Sequence, residues 1–313
     1  MIDRLRKIYP SLLLYGEDID TLDSDYKWFS DEENTRVLGI HESELAPKDI
    51  ALLSAFLLPH NAKFPLPTKE EKQWQQAIRS AETPPGSENR ISAPFRFTYF
   101  SFNKNQITPV FFKAALQELF EKQILILWDS ETEGILVEKK EAADDGVSYG
   151  QIVDLLMSDL YVKIRFFSGP FRQSTEAVHA YYRTVKNTAV KVFAHSDKAA
   201  MTYADAVPHL MVAAASKELR QEIGQTVLQE YISDRETLEM IEVLVRCNLN
   251  ISESAKELHL HRNSLQYRLD RFSEKTGIDI RQFHQAMAVY LALLAKRQGG
   301  QQHPPGNLHE DGG

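Results

Sequence analysis

The chain has 313 residues, with 36 Lys plus Arg against 44 Asp plus Glu, for a formal net charge of −8. Hydrophobic residues make up 43% and charged residues 26%, which is ordinary globular usage. That excludes a disordered or collagen-like chain, and at about 150 residues per domain the length suits roughly two domains.

The single cysteine, Cys247, excludes an internal disulfide framework and any multi-cysteine zinc or iron–sulfur site. The acidic balance speaks against a wholly basic nucleic-acid coat protein. It leaves room for one DNA-binding module, because affinity depends on where the cations sit. The short apolar run from Ile8 to Tyr15 is soon followed by acids, unlike a signal peptide. No stretch approaches the roughly 20 apolar residues of a membrane span, so the cytosol is the expected compartment.

Residues 1–85 read as a small mixed region, α/β or helical. Ile2, Leu5 and Ile8 make one helical stripe. Residues 17–31 carry many acids around Trp28 and Phe29, which predicts an acidic loop anchored by its aromatics. Pro47 opens a helix with Ile50, Leu52, Leu53 and Phe56 that ends before Pro59. A polar helix over 68–81 carries Trp74 and Ile78 at i, i+4. The Pro- and Gly-containing run 83–89 marks a boundary.

Residues 92–198 change character. The order read from the residues is strand 95–100, helix 109–121, strand 124–128, strand 135–137, helix 149–160, strand 162–167 and helix 173–193. This is a split β-α-β, ferredoxin-like unit, with helices expected against one face of its sheet. Residues 199–232 read as a helical connector, and 298–313 as a disordered tail.

Residues 233–297 hold the informative module. Ser233 and Glu236 form a capping pair that starts a helix carrying Leu238, Ile241, Leu244 and Val245. Ser252 caps a second helix containing the small Ala255. His259-Leu260-His261 makes a tight turn. A third helix begins near Arg262, carries Leu265, Leu269 and Phe272, and ends at Gly277. Asp279 and Gln282 form another capping pair before a last helix striped by Ile280, Phe283, Met287, Leu291 and Leu294. Two helices crossing closely at a small residue, joined by a turn of about four residues, make a helix-turn-helix.

At 100° per residue, Asn263, Gln266, Tyr267, Asp270 and Arg271 face away from the leucine stripe, with Arg268 at its edge. The helix start presents His261, Arg262, Asn263 and Ser264, where free backbone N–H groups suit phosphates and base edges. Arg suits guanine, and Asn or Gln suits adenine. Between Lys256 and Lys275, five cations face three acids, a local excess of two positive charges in an acidic chain.

The run from Asn250 to Leu269, followed by Thr276-Gly277-Ile278-Asp279, resembles the C-terminal helix-turn-helix of PucR/CdaR-type transcriptional regulators. The block His-Arg-Asn-Ser-Leu-Gln-Tyr-Arg-Leu carries the resemblance, with Ser264 where Thr is commoner. The module is also similar to the Fis-type DNA-binding domain. The resemblance implies a fold class of α+β, with a degenerate GGDEF-like, ferredoxin-like middle domain ahead of an all-α helix-turn-helix domain. It implies a sequence-specific regulator, often an activator of a metabolic operon, with His261, Arg262, Ser264, Tyr267 and Arg268 as DNA contacts. The helical wheel adds Asn263, Gln266 and Arg271.

The expected partners are double-stranded DNA with a palindromic operator, a second copy of the chain, a small-molecule effector acting through the upstream domains, and RNA polymerase. No cofactor, metal site or catalytic residue is expected. The only Gly-Gly pairs lie in the tail, and the hairpin where a cyclase would carry its Gly-Gly-(Asp/Glu)-Glu-Phe turn reads Asp129-Ser130-Glu131-Thr132-Glu133-Gly134 instead. No Walker loop or zinc-protease motif occurs. The competing reading is a ligand-binding or interaction protein whose C-terminal bundle serves oligomerisation.

Overall fold

The computed structural model describes residues 2–19, 22–23, 25–31, 36–79, 94–120, 123–140 and 149–300. The boundary run 83–89 lies outside them, as do residues 301–313. The chain gathers into two compact units, residues 1–189 with 198–203, and residues 190–197 with 204–313.

The first unit opens with α1 (Ile2–Ile8), β1 (Leu13–Leu14), β2 (Tyr26–Ser30), β3 (Val37–His41), α2 (Pro47–Ser54) and β4 (Leu58–His60). The strands form one antiparallel sheet in the order β1-β3-β2-β4. The expected acidic loop around Trp28 and Phe29 is therefore corrected in part: these residues belong to β2, and both are buried. Trp28 lies across Gly39, its register partner on β3, so closely that a Cβ there would meet the indole at 2.7 Å.

Next come α3 (Lys69–Arg79), β5 (Phe95–Phe102), α4 (Pro109–Phe120), β6 (Leu125–Ser130), β7 (Glu133–Lys139), α5 (Tyr149–Leu160), β8 (Ile164–Ser168), α6 (Val178–Phe193) and β9 (Ala200–Thr202). The sheet order is β6-β7-β5-β8-β9. Its first four strands are antiparallel in the ferredoxin-like arrangement. The fifth, β9, pairs parallel with β8 and occupies residues expected to start a helical connector.

The sheet is covered on both faces, which corrects the expectation of one. Phe100 and Phe102 meet Phe112 of α4, and Phe166 meets Tyr149 of α5. On the opposite face Phe95 and Phe97 pack on Trp74 of α3 and Tyr181 of α6. Neighbouring residues Leu125, Ile126 and Leu127 point to opposite faces of β6, yet all three are buried.

The edge of β6 is closed by one carboxylate. Thr68 and Glu71 form a capping box at the start of α3, with Thr68 N–H donating to Glu71 Oε2 at 2.8 Å and Glu71 N–H to Thr68 Oγ1 at 3.1 Å. Glu71 also accepts from the Ile126 N–H at 2.8 Å and from Lys113 Nζ at 2.7 and 2.9 Å. An otherwise open strand edge is thereby satisfied within the fold.

The second unit is helical, with α7 (Tyr203–Ala214), α8 (Lys217–Leu228), a 3₁₀ turn (Gln229–Ser233), α9 (Arg235–Arg246), α10 (Ile251–Glu257), α11 (Arg262–Thr276) and α12 (Phe283–Gly300). One core joins Leu228, Ile241, Leu244, Ala255, Leu265, Leu269, Phe272 and Val289. Two sequence expectations change on α12. Phe283 and Met287 are exposed, whereas Leu294 is buried as expected, together with Ala286, Val289, Ala292 and Leu293. The helix also runs on through Gly300, with Gln298 buried and its amide donating to the His209 carbonyl, so residues 298–300 are not part of a tail. No helix among the described residues is long and apolar enough to cross a membrane.

Candidate nucleic-acid interface

Three helices build the interface, and each terminus has an identifiable chemical cause. The cap of α9 is Asp234, not Ser233: its carboxylate accepts from Thr237 N–H at 3.1 Å and Thr237 Oγ1 at 2.7 Å. Those bonds hold the Asp234 carboxyl below its usual range. The cap of α10 is Asn250, not Ser252, and it accepts from the N–H groups of Ser252 and Glu253. In each case the residue with extended backbone just before the first helical turn does the capping.

Asp234→Ala is expected to lower stability by about 0.5–2 kcal/mol at neutral pH. The folded pKa is depressed, so this contribution is complete above the unfolded value of roughly 3.9 and disappears as pH falls through the folded one. Chemical denaturation across a pH series checks it: the difference between wild type and variant should be full at pH 7 and shrink progressively as the pH falls below about 3.9.

Both inter-helical turns close in the same way. Leu249 N–H reaches the Leu244 carbonyl and Asn248 N–H the Val245 carbonyl, with Asn248 left-handed at φ 52°. Leu260 N–H reaches the Ala255 carbonyl and His259 N–H the Lys256 carbonyl, with His259 left-handed at φ 53°. These are Schellman closures, and the second sets the angle between α10 and α11. Ala255 is buried at the crossing, where its single methyl lets the helices approach. Gly277 ends α11 at φ 74°.

With Leu265, Leu269 and Phe272 buried, α11 turns its opposite side outward. His261, Arg262, Asn263, Ser264, Tyr267 and Arg271 are exposed, while Gln266 and Arg268 are half-buried. Tyr267 is 68% exposed, so its ring is not packed away against neighbouring side chains. His261 is the N-cap of α11, its Nδ1 accepting from Asn263 N–H at 3.3 Å. The capping role falls to His261, and the Asn263 side chain is left exposed.

The cations divide into two sets. Arg268 pairs with Glu236, Lys275 with Glu230, and Arg281 with Asp270 and Asp279. Lys256, Arg262 and Arg271 are exposed and, among the described residues, have no carboxylate partner. The sequence count of five cations missed this division, because Glu230 and Glu236 lie outside the window counted.

Cys247 donates to Glu257 at 3.1 Å, and that bond pushes its thiol up, away from thiolate reactivity. Arg246 pairs with Glu257 as well. In the first unit each acid of the hairpin tip has a cationic partner, Asp129 and Glu133 with Lys186 and Glu131 with Lys63. Among the described residues, no group of three or more His, Cys, Asp or Glu is arranged to hold a metal ion.

A family model described as the PucR C-terminal helix-turn-helix domain matches residues 237–295. Over 273 residues the chain is 30% identical to the uncharacterized protein YxkF of Bacillus subtilis, spanning 85% of this chain and 90% of that one. It is 24% identical over 169 residues to the DNA-binding transcriptional activator AdeR of Bacillus subtilis, covering 52% of this chain and 36% of AdeR. It is 44% identical over 48 residues to the carbohydrate diacid regulator of Escherichia coli, 15% of this chain and 12% of that regulator.

Proposed function

The chain belongs to the PucR-type transcriptional regulators, and from that membership we propose that it binds a specific palindromic operator as a homodimer, with α11 in the major groove. The observation that carries this reading is the outer side of α11. There Arg262 and Arg271 stand exposed beside Asn263, Ser264 and Tyr267, while the opposite side is wholly buried. A helix made only for assembly has no need of cations that, among the described residues, stand without a carboxylate partner at its start and again on its outer side.

In this reading Arg262 and Asn263 meet base edges, because the start of α11 leads into the groove. Ser264, Gln266 and Tyr267 supply further groove or phosphate contacts. His261, Arg268 and Arg271 bind the phosphate backbone and set the register. Glu236 holds Arg268 at the flank of α11 until a phosphate competes for it. Pairing two copies joins two half-sites, which supplies the affinity that one small module lacks.

We place the protein in the cytosol, acting as an activator of a metabolic operon through RNA polymerase. A small molecule gates it through the elements upstream of residue 199. The similarity to AdeR, a DNA-binding transcriptional activator, and to a carbohydrate diacid regulator supports the regulatory and metabolic parts of this proposal.

Selection of genomic DNA fragments by the purified full chain, followed by titration of the best fragment at two salt concentrations, tests it. A palindromic motif is expected, with affinity falling steeply as salt rises. Arg262→Ala should cost about 1–3 kcal/mol on the selected site and much less on unrelated DNA. No enrichment from a folded protein, with or without added cell extract, would make the bundle an assembly module.

A further inference from the structure

The first unit contains a cavity of about 1000 Å³. Its wall is built from the loop between β5 and α4, the tip of the β6–β7 hairpin, Lys63 and Val162. The cavity is open to solvent on one side, and its volume is that of a cleft able to hold a metabolite-sized molecule. We infer that this cavity is the effector site and takes a small organic anion with an apolar body. The inference rests on the regulatory reading above for its purpose, but not for its chemistry.

The wall has a charged part and an apolar part. Lys63 and Lys104 contribute two ammonium groups and Glu131 one carboxylate. Glu131 is spent on Lys63 at 2.8 Å, whereas Lys104 has no carboxylate partner among the described residues. Lys104 is therefore the charge in the wall left free to meet an anion. Ile107, Phe111 and Val162 offer apolar surface, and Phe111 is 54% exposed for want of anything packed on it. The loop is preformed: Gln106 accepts from Lys163 N–H at 3.1 Å and donates to the Tyr161 carbonyl at 3.4 Å.

The hairpin tip gives the site something to move. Ser130, Glu131 and Thr132 line the cavity, and Asp129 and Glu133 flank them. Asp129 accepts from Lys186 at 2.8 Å and from the Tyr182 hydroxyl, and Glu133 accepts from Lys186 at 3.1 Å. Lys186 and Tyr182 belong to α6, whose last residues, from Val190, belong to the second unit. An anion that draws Lys63 away from Glu131 changes the charge at the tip. The Lys186 clamp then carries that change into α6.

The test uses the full chain and 8-anilinonaphthalene-1-sulfonate, a sulfonate on an aromatic body, followed by fluorescence and by amide hydrogen exchange. The expected result is saturable binding of one probe per chain. Lys104→Gln and Thr132→Glu should each weaken it by about tenfold or more, since each removes or opposes a charge-assisted contact. Lys191→Gln, an exposed change elsewhere on α6, should leave it unchanged. Bound probe should slow exchange in the hairpin tip and in α6, and Lys186→Gln should keep the binding but abolish the slowing in α6.

Unsaturable binding, or binding indifferent to both Lys104→Gln and Thr132→Glu, would overturn the site. Unchanged exchange in α6 with probe bound would overturn its role as an effector site. Neither measurement involves DNA, so a chain that passes both and binds no operator would sink the DNA-binding proposal alone.

Discussion

Replacing Glu71 by Ala is expected to destabilise the first unit by about 3–5 kcal/mol. The Glu71 side chain is 1% exposed and accepts four hydrogen bonds from three donors. Alanine would strand the Lys113 ammonium, 7% exposed, without its counter-charge. It would also leave the Ile126 N–H of an edge strand buried and unpaired, and remove half of the capping box of α3. Glu71→Gln keeps the shape and one acceptor oxygen, so its loss should be smaller. Replacing both Glu71 and Lys113 by apolar residues of similar volume should recover much of the loss, because the buried charge goes with its partner. Urea denaturation measures the total, and hydrogen exchange at the Ile126 amide reports the local opening. A loss below about 1 kcal/mol for Glu71→Ala would mean that water, not the carboxylate, satisfies these donors.

The Glu71 network also shows what the sequence could and could not disclose. Thr68-x-x-Glu71 is a legible capping signature, but nothing local says that the same carboxylate reaches Lys113 and a strand 55 residues away. The unbroken apolar run of β6 was itself a signal for burial on both faces, since alternating residues point to opposite sides. The three residues of β9 have no period to read, and their strand is imposed by pairing with β8. The caps of α9 and α10 were each misplaced by one or two residues, because Ser233, Asp234, Asn250 and Ser252 are all competent caps. Which one acts is decided by where the backbone turns helical. On α12 the large residues Phe283 and Met287 belong to the expected stripe yet are exposed, and the helix buries Ala286, Val289 and Ala292 beside Leu293 and Leu294. Small residues allow a close approach to α8, and a reading weighted by side-chain size misses that. The helix-turn-helix was legible because two constraints coincide there: leucines at helical spacing fix the buried side, and polar residues fill the other. The pairing of Arg268 with Glu236 was not legible, because the two residues lie 32 apart in sequence on different helices.

That division of α11 into a buried and an outward side makes a second large effect predictable. Phe272→Ala is expected to cost about 3–5 kcal/mol and to abolish operator binding near physiological temperature, although Phe272 cannot touch DNA. Its ring is fully buried, 5.0 Å from Tyr231, in the core that ties α11 to the 3₁₀ turn and to α9. Phe272 shares that core with Leu269, Ile241 and Ile280, so the cavity left by its ring opens among side chains that collapse only in part. Phe272→Leu keeps most of the volume and should cost less than about 1.5 kcal/mol. Tyr267→Ala provides the contrast: one helical turn away on the same element but exposed, it should leave stability within about 0.5 kcal/mol and still weaken operator binding. Thermal denaturation and DNA titration at two temperatures separate the two causes. Below its lowered melting temperature the Phe272→Ala protein should regain most of its affinity, because its contact residues are intact. The Tyr267→Ala protein should not, because its defect is in the contact. If Phe272→Ala melted like the wild type, the core that presents the α11 face would be wrongly drawn. If Tyr267→Ala bound the operator normally, that face would be wrongly oriented.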